Sequence, residues 1–496
     1  MDEIVNRNRP EQADTKTVQE YIDELPSWPD GTKVKSSAMT AMQWRIWSLA
    51  AAGKFFEGFV VFMGGVTLPL ITLQFHIAPS EKGLVTSASL AGILVGTMLL
   101  GGMSDYFGRK RMFIAEMIIF CAFLTLLVIC GSFLALVICL FGVGMALGCD
   151  YPTAHMIISE SIPSHSRGRL VLGAFAFQAV GAMCGIGIGA IVLVIDPSLN
   201  AWRWMYATAL VPAIVITVAR FFITESPNWL IVRGEHKAAE SSLSRLLHRL
   251  PRYPSKVALT LPVADERQAS KPNVLSLFNR SNRRATIFSS VPWFIQDLGT
   301  YGIGVFTPTI LATALGGGPD KVRSLSDMIT KSIHSAEGSV LITSLLIVGI
   351  LVAIALSDRF GRIRLQAFGF VGCAVGLLIA SFSIDATGST RIFLIFAGFM
   401  LFNFMTNLGP NAQTYLLAGE VFPTEVRGMG AGFAAMIGKV GAVATTFGFP
   451  ILLASIGTRT LLYALVITSL LGAVVTWIFR IETTGINLDR VGRDAG

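Results

Sequence analysis

Five charged side chains stand inside stretches that are otherwise apolar: Lys54, Glu57, Asp150, Asp297 and Lys439. A charge at the centre of a membrane-spanning helix costs about 2.5–3.5 kcal/mol on insertion scales, so each is either paired or kept for function. Asp297 lies in Trp293-x-x-x-Asp297-x-x-x-Tyr301. The i, i+4, i+8 spacing lines up an indole N–H, a carboxylate and a phenol on one helix face, which belongs on a central cavity rather than on lipid. Lys439, in Gly438-Lys439-Val440-Gly441, has no acidic residue within one turn of its own helix. Buried, it must shed its proton or find an anion, and Asp297, Asp150 or a substrate can supply one. Lys54 and Glu57 are three residues apart and can pair with each other. Asp150, before Tyr151-Pro152, reads either as a functional carboxylate or as a helix-end aspartate. Gln178, Asn407 and Asn411 are amides in apolar surroundings, able to hold a ligand or to bridge helices. One cation with donors from Trp293, Gln178, Asn411, Tyr151 and Tyr301 suits an oxyanion better than a sugar.

Such residues need long apolar helices to hold them. Hydrophobic residues make up 53% of the chain and charged residues 14%, against about 25% charged in soluble domains. The charges crowd into residues 1–45, 224–284 and 480–496. Between them lie twelve apolar runs, each long enough to cross roughly 30 Å of hydrocarbon as a helix: 46–72, 84–104, 112–131, 133–152, 170–195, 204–223, 285–313, 338–357, 366–384, 391–415, 430–455 and 460–479. The fold class is therefore an all-α membrane protein. Lys and Arg concentrate between Arg233 and Arg284 and in the loops holding Arg109, Arg167 and Arg362, all on one side when the runs are counted off. That is the positive-inside pattern, which explains the net charge of +8 without nucleic acid and puts both termini in the cytoplasm. The polar N-terminal segment lacks the order of a cleaved signal and is expected to be partly helical around Thr15–Leu25. All six cysteines fall in the predicted spans, with no zinc or redox spacing. No cofactor and no metal is expected.

The chain repeats itself. Asp105-x-x-Gly108-Arg109 recurs 253 residues later as Asp358-x-x-Gly361-Arg362, and Glu160, Pro163, Arg167 and Gly168 recur 260 later as Glu420, Pro423, Arg427 and Gly428. Repeated bundles are a transporter architecture. The expected division is a cytosolic tail at 1–44, a six-helix bundle at 45–223, a cytosolic linker at 224–284, a second six-helix bundle at 285–480, and a tail at 481–496. Asp105 at a helix end can accept from Arg109 and from the amides of a facing helix N-terminus. Glu160 with Arg167, and Glu420 with Arg427, are expected partners in the same gating network.

Gly101-x-x-x-Asp105-x-x-Gly108-Arg109-Lys110-Arg111 resembles the signature loop of the major facilitator superfamily, and Glu225-Ser226-Pro227-x-Trp229-Leu230 resembles its sugar-porter-like branch. The resemblance covers about residues 45–480 and implies twelve helices in two bundles related by a pseudo-twofold axis. Gly148-x-Asp150-Tyr151-Pro152, Gln178, Trp293/Asp297/Tyr301, Gly409-Pro410-Asn411 and Gly438-Lys439 together resemble the phosphate:proton symporter family. That implies phosphate contacts from Tyr151, Gln178, Trp293, Asp297, Tyr301 and Asn411, and proton coupling at Asp150 and Lys439. Val60 stands where that family carries an aspartate, with Glu57 nearby, and Cys149 replaces a glycine.

The resulting expectation is no enzyme, since Walker and dinucleotide motifs are absent. It is a monomeric plasma-membrane transporter whose partners are a small anion, phosphate before an organic acid, and a proton, with Asp150, Asp297 and Glu57 as proton-coupling carboxylates. Burial disfavours a charged carboxylate, so a proton and an anion can bind together. The alternatives are a sugar or organic-cation transporter of the same fold, and then a non-transporting nutrient sensor. Cysteines introduced in 1–44, 224–284 and 481–496 should resist impermeant thiol reagents in intact cells; ready labelling of the linker from outside would overturn this topology.

Overall fold

The computed structural model describes residues 16–24, 39–99, 103–248, 257, 259, 274–314, 324–423 and 426–482. The side chains of Asp105, Tyr151 and Asp358 lie outside the described residues, as do most of the linker's second half and the C-terminal tail. Described residues are nearly all helical, with one isolated bridge between Lys16 and Leu259. In chain order the helices are α1 (Val18–Asp23), α2 (Ala41–Phe75), α3 (Pro79–Leu99), α4 (Met103–Phe107), α5 (Arg109–Ile129), α6 (Phe133–Ser161), α7 (Arg167–Ile195), α8 (Ala201–Ala207) and α9 (Leu210–Arg220). They continue with α10 (Pro227–Val232), α11 (His236–Leu246), α12 (Arg283–Ala314), α13 (Leu325–Phe360), α14 (Arg362–Phe382), α15 (Gly388–Leu408), α16 (Pro410–Ala418) and α17 (Arg427–Phe479).

Ten helical stretches are long and apolar enough to cross a membrane. The count reaches twelve when α17 is taken as two helices, broken at Gly457 (φ 75°), and when α12, 32 residues long, is added. α8 and α9 together form one of these spans, and α15 with α16 another.

Local signals set the helix ends. Thr40 opens α2 with a capping box: its hydroxyl accepts from Gln43 N–H at 3.2 Å and its own N–H donates to Gln43 Oε1 at 2.8 Å. The two repeated loop motifs turn on their glycines. Gly108 (φ 105°) separates α4 from α5, and Gly361 (φ 84°) separates α13 from α14, a conformation that a Cβ disfavours. In the first bundle α2 lies along α7 and α3 along α6; in the second α12 lies along α17 and α14 along α15. Across the divide, α3 meets α17, α7 meets α13, and α2 meets α12. Glycine controls the α2–α7 spacing: a Cβ on Gly58 would strike Gln178 O, and one on Gly181 would strike Phe55 O. That approach brings Gln178 beside Glu57.

At the basic end each bundle is fastened within itself. Arg109 pairs with Glu160 at 3.5 Å, Ser226 Oγ donates to Glu160, and Glu225 accepts from Lys110 N–H at 2.9 Å. In the second half Arg362 pairs with Glu420. The expected pairing of Glu160 with Arg167 is corrected: Arg167, at the start of α7, donates to Gln19 of α1 at 2.9 Å. Arg427 donates through Nε to Phe422 O at 3.2 Å. Helix α1 is docked here, with Asp23 accepting from both N–H and Oγ of Ser164 at 2.7 Å. Val18, Tyr21 and Ile22 are buried with Leu243, Leu246 and Leu247.

Just above this end, aromatic rings close the gap between bundles. Tyr415 of α16 stacks on Phe175 of α7 (4.6 Å between centroids, 18°) and meets His155 of α6, with Oη 3.4 Å from Nδ1. Trp293 packs edge-on to the same ring at 6.2 Å. An aromatic pair contributes about 0.5–1.5 kcal/mol beyond its area. Tyr415→Ala should therefore shift the population toward an inward-open form by roughly two- to tenfold. A cysteine placed at Leu172, buried at this interface, reads the shift as faster labelling from the basic side; an unchanged rate would contradict it.

Candidate functional site

Among the described residues, seven acidic or basic side chains are buried inside the spans, each no more than 3% exposed: Lys54, Glu57, Glu116, Asp150, Arg220, Asp297 and Lys439. They form two groups. The first is centred on Tyr301 and crosses the bundles. Lys439 Nζ of α17 donates to Tyr301 Oη of α12 at 2.8 Å and lies 3.3 Å from Asp297 Oδ2 and 3.5 Å from Glu57 Oε1. The Tyr301 hydroxyl donates to Glu57 Oε1 at 3.1 Å and accepts from Gln178 Nε2 at 3.1 Å. Gln178 Nε2 also reaches Glu57 Oε1 at 3.0 Å, and Lys54 Nζ donates to Glu57 Oε2 at 3.3 Å. Glu57 therefore touches two lysines, one from each bundle.

The second group lies within the first bundle. Arg220 of α9 pairs with Glu116 of α5 and, at 3.3 Å, with Asp150 of α6. Its Nη1 and Nη2 also donate to Phe113 O at 2.5 Å and Leu49 O at 3.2 Å, and its guanidinium stacks 3.4 Å over the Phe113 ring. A Cβ on Gly53 would strike the Asp150 carboxylate, so α2 passes directly over this group. Lys54 lies within electrostatic reach of Asp150 as well as Glu57 and connects the two groups.

The sequence stripe Trp293, Asp297 and Tyr301 does fall on one buried face of α12. Asp297 and Tyr301 meet Lys439, while Trp293 packs against Gly438, whose missing Cβ leaves room for the indole. Asn411 donates to Asn407 Oδ1 at 2.6 Å, and Asn407 in turn anchors α13 through Leu346 O at 2.8 Å. Asp150 stands apart from the Lys439 group, held by Arg220. Glu116, Arg220, His155 and Tyr415 escaped the sequence reading. Glu116 and Arg220 are opposite charges on helices distant along the chain; Arg220, the last residue of α9, passes for a flanking residue. His155 and Tyr415 sit singly in apolar stretches.

Phe62, Gln178, Thr300, Tyr301, Asn407 and Asn411 line a central cleft of about 10 Å3, room for about one water molecule. Toward the end opposite the basic loops, a cavity of about 820 Å3 begins one helical turn further along α2 and α12, at Gly65, Val66 and Phe306. The site is thus collapsed on its own ion pairs beneath a large vestibule.

Residues 46–495 match the family described as sugar (and other) transporter. The inner membrane metabolite transport protein YgcS of Escherichia coli (strain K12) is 29% identical over 468 residues, covering 91% of this chain and 94% of the relative. Inorganic phosphate transporter 1-11 of Oryza sativa subsp. japonica is 27% identical over 457 residues, covering 85% and 80%. The xylose transporter XylE from E. coli, solved in a partially occluded inward open conformation, matches with a TM-score of 0.71 at 19% identity, covering 90% of this chain and 100% of that one; this is a likeness of fold. The family match runs through both repeats and both buried charge groups, and the chain belongs to the sugar (and other) transporter family on the major facilitator fold.

Proposed function

We propose that this transporter carries a small anion, inorganic phosphate first and a small organic acid second, together with protons by alternating access. It would act as a monomer in the plasma membrane with both termini cytosolic. The observation that carries the reading is the buried charge balance. Three cations, Lys54, Arg220 and Lys439, face four carboxylates, Glu57, Glu116, Asp150 and Asp297. The excess lies in the Arg220 group; the Lys439 group is balanced, Lys54 and Lys439 against Glu57 and Asp297, so an anion entering it would leave an uncompensated negative charge, which is unfavourable out of water. A proton on Asp297 removes that obstacle and releases Lys439 to the anion, with Tyr301 and Gln178 supplying further donors. Each ligand then favours the other by the same coupling free energy. Once the anion leaves, Lys439 returns to its internal partners and the site closes again.

Relatives named as inorganic phosphate transporters support phosphate as the first choice. A sugar is the second reading, because three amides, Gln178, Asn407 and Asn411, line the central cleft and can hydrogen-bond hydroxyls.

The test is uptake into proteoliposomes with and without an inward proton gradient, offering phosphate, succinate, D-xylose and a quaternary amine. Phosphate or succinate should accumulate only with the gradient, and uptake of D-xylose or the amine alone would overturn the reading. Asp297→Asn should abolish gradient-driven accumulation while leaving exchange measurable, and Asp150→Asn should impair accumulation. Full pH-dependent accumulation in both variants would remove their proton roles.

Lys439→Ala should raise KM for the anion at least tenfold, about 1.4 kcal/mol, with Lys439→Arg milder. Because Lys439→Ala strands buried carboxylates, it should also cost about 3–5 kcal/mol of stability. The Lys439→Ala/Asp297→Asn double variant should recover thermal stability without recovering anion affinity. Recovery of both would assign Lys439 a purely structural role.

A further inference from the structure

The 820 Å3 vestibule is lined by Lys82 of α3, Lys331 of α13, Arg391 of α15 and Arg459 just beyond the α17 break, with no carboxylate among its described lining residues. These cations lie at the end where the positive-inside bias works against Lys and Arg, so topology does not account for them. Two are compensated by acidic neighbours at the rim: Arg459 pairs with Asp385, and Lys331 lies 4.0 Å from Asp327. Lys82 and Arg391 have no ion-pair partner among the described residues, and Arg391 Nε is buried without a hydrogen bond. The other nearby acids are engaged: Glu81 accepts from Ala78 N–H at 2.6 Å, and Glu337 lies 3.1 Å from His334 on an exposed face. Inward the vestibule narrows to apolar walls, with Phe306 stacked on Phe449 at 4.6 Å, above the cleft that holds Tyr301.

We propose that this vestibule is a low-affinity anion-capture site in which Lys82, Arg391 and Lys331 gather the anionic substrate before it reaches Lys439. The inference rests on the anion reading above. A cleft of one charge sign with low-dielectric walls focuses its field and raises local anion concentration and capture rate by 10–10^3-fold. The Arg391 guanidinium and the Lys82 ammonium, without acidic partners among the described residues, can bind an oxyanion by charge-assisted hydrogen bonds without first breaking an ion pair.

The test is the initial rate of inorganic phosphate uptake, with succinate in parallel, in proteoliposomes from about 0.01 to 0.15 M ionic strength, over which the Debye length falls from about 30 to 8 Å. In the wild type kcat/KM for the anion should fall steeply with salt. Lys82→Gln/Arg391→Gln should lower kcat/KM about tenfold at low salt and flatten the salt dependence, with kcat retained as evidence of folded protein. Arg391→Lys should keep most of the effect. A salt-independent wild-type rate, an unaltered salt dependence in the double variant, or Arg391→Lys behaving like Arg391→Gln would overturn the capture site while leaving the anion reading intact. Absence of phosphate and succinate uptake at every salt concentration would overturn both.

Discussion

A lysine ammonium buried at 2% exposure between two helical bundles is the constraint on which the rest of the molecule depends. Lys439 has no acidic neighbour in its own helix, so its charge must be met across the bundle by Asp297, Glu57 and the Tyr301 hydroxyl. Asp297 and Tyr301 come from α12 of the same bundle, whereas Glu57 comes from α2 and reaches Lys439 only when the two halves of the chain close upon each other. Breaking a buried pair by removing one partner costs about 3–5 kcal/mol, so the hub latches the bundles as well as offering a binding site. A latch made of exchangeable charges can be released by a proton or an anion, which a latch of packed leucines cannot be.

The surrounding architecture serves that hub. Gly58 and Gly181 let α2 and α7 approach until Gln178 reaches Glu57, and Gly438 gives Trp293 its space. Below, Tyr415 bridges His155, Phe175 and Trp293, and beneath that the Arg109–Glu160 and Arg362–Glu420 pairs each hold the basic end of their own bundle together. Above, only a turn of α2 and α12 separates the collapsed cleft from the vestibule. Closure on one side and open volume on the other is the asymmetry that alternating access requires, and interfaces of packed rings and ion pairs switch between discrete arrangements rather than deform smoothly.

The fold was legible because its signals are redundant. Apolar runs mark the spans, loop cations mark the sides, and the duplicated glycine-arginine loops mark the halves; both motif glycines take a positive φ in the structure. The hub was partly legible. The period of four in Trp293, Asp297 and Tyr301 fixes a shared face, and Lys439 is conspicuous by its isolation. What escaped the sequence depends on helices distant along the chain. Glu116 and Arg220 form their pair only because α5 and α9 pack together, and Arg220, the last residue of α9, resembles an ordinary flanking charge. Arg167 was matched to Glu160 by nearness in sequence, whereas α1 docks on the loop and takes it. Tyr415 and His155, 260 residues apart, give no periodic signal, and only the bundle interface makes them neighbours.

The central claim is that the buried cluster admits an anion only with a proton. The direct measurement is the pH change when phosphate is added to purified, detergent-solubilised protein in weakly buffered solution. Net uptake of about one proton per bound anion is expected from the coupling of the two sites, beyond the buffering by phosphate itself, and it should vanish in Asp297→Asn. Saturable phosphate binding with no proton uptake in the wild type would contradict the account.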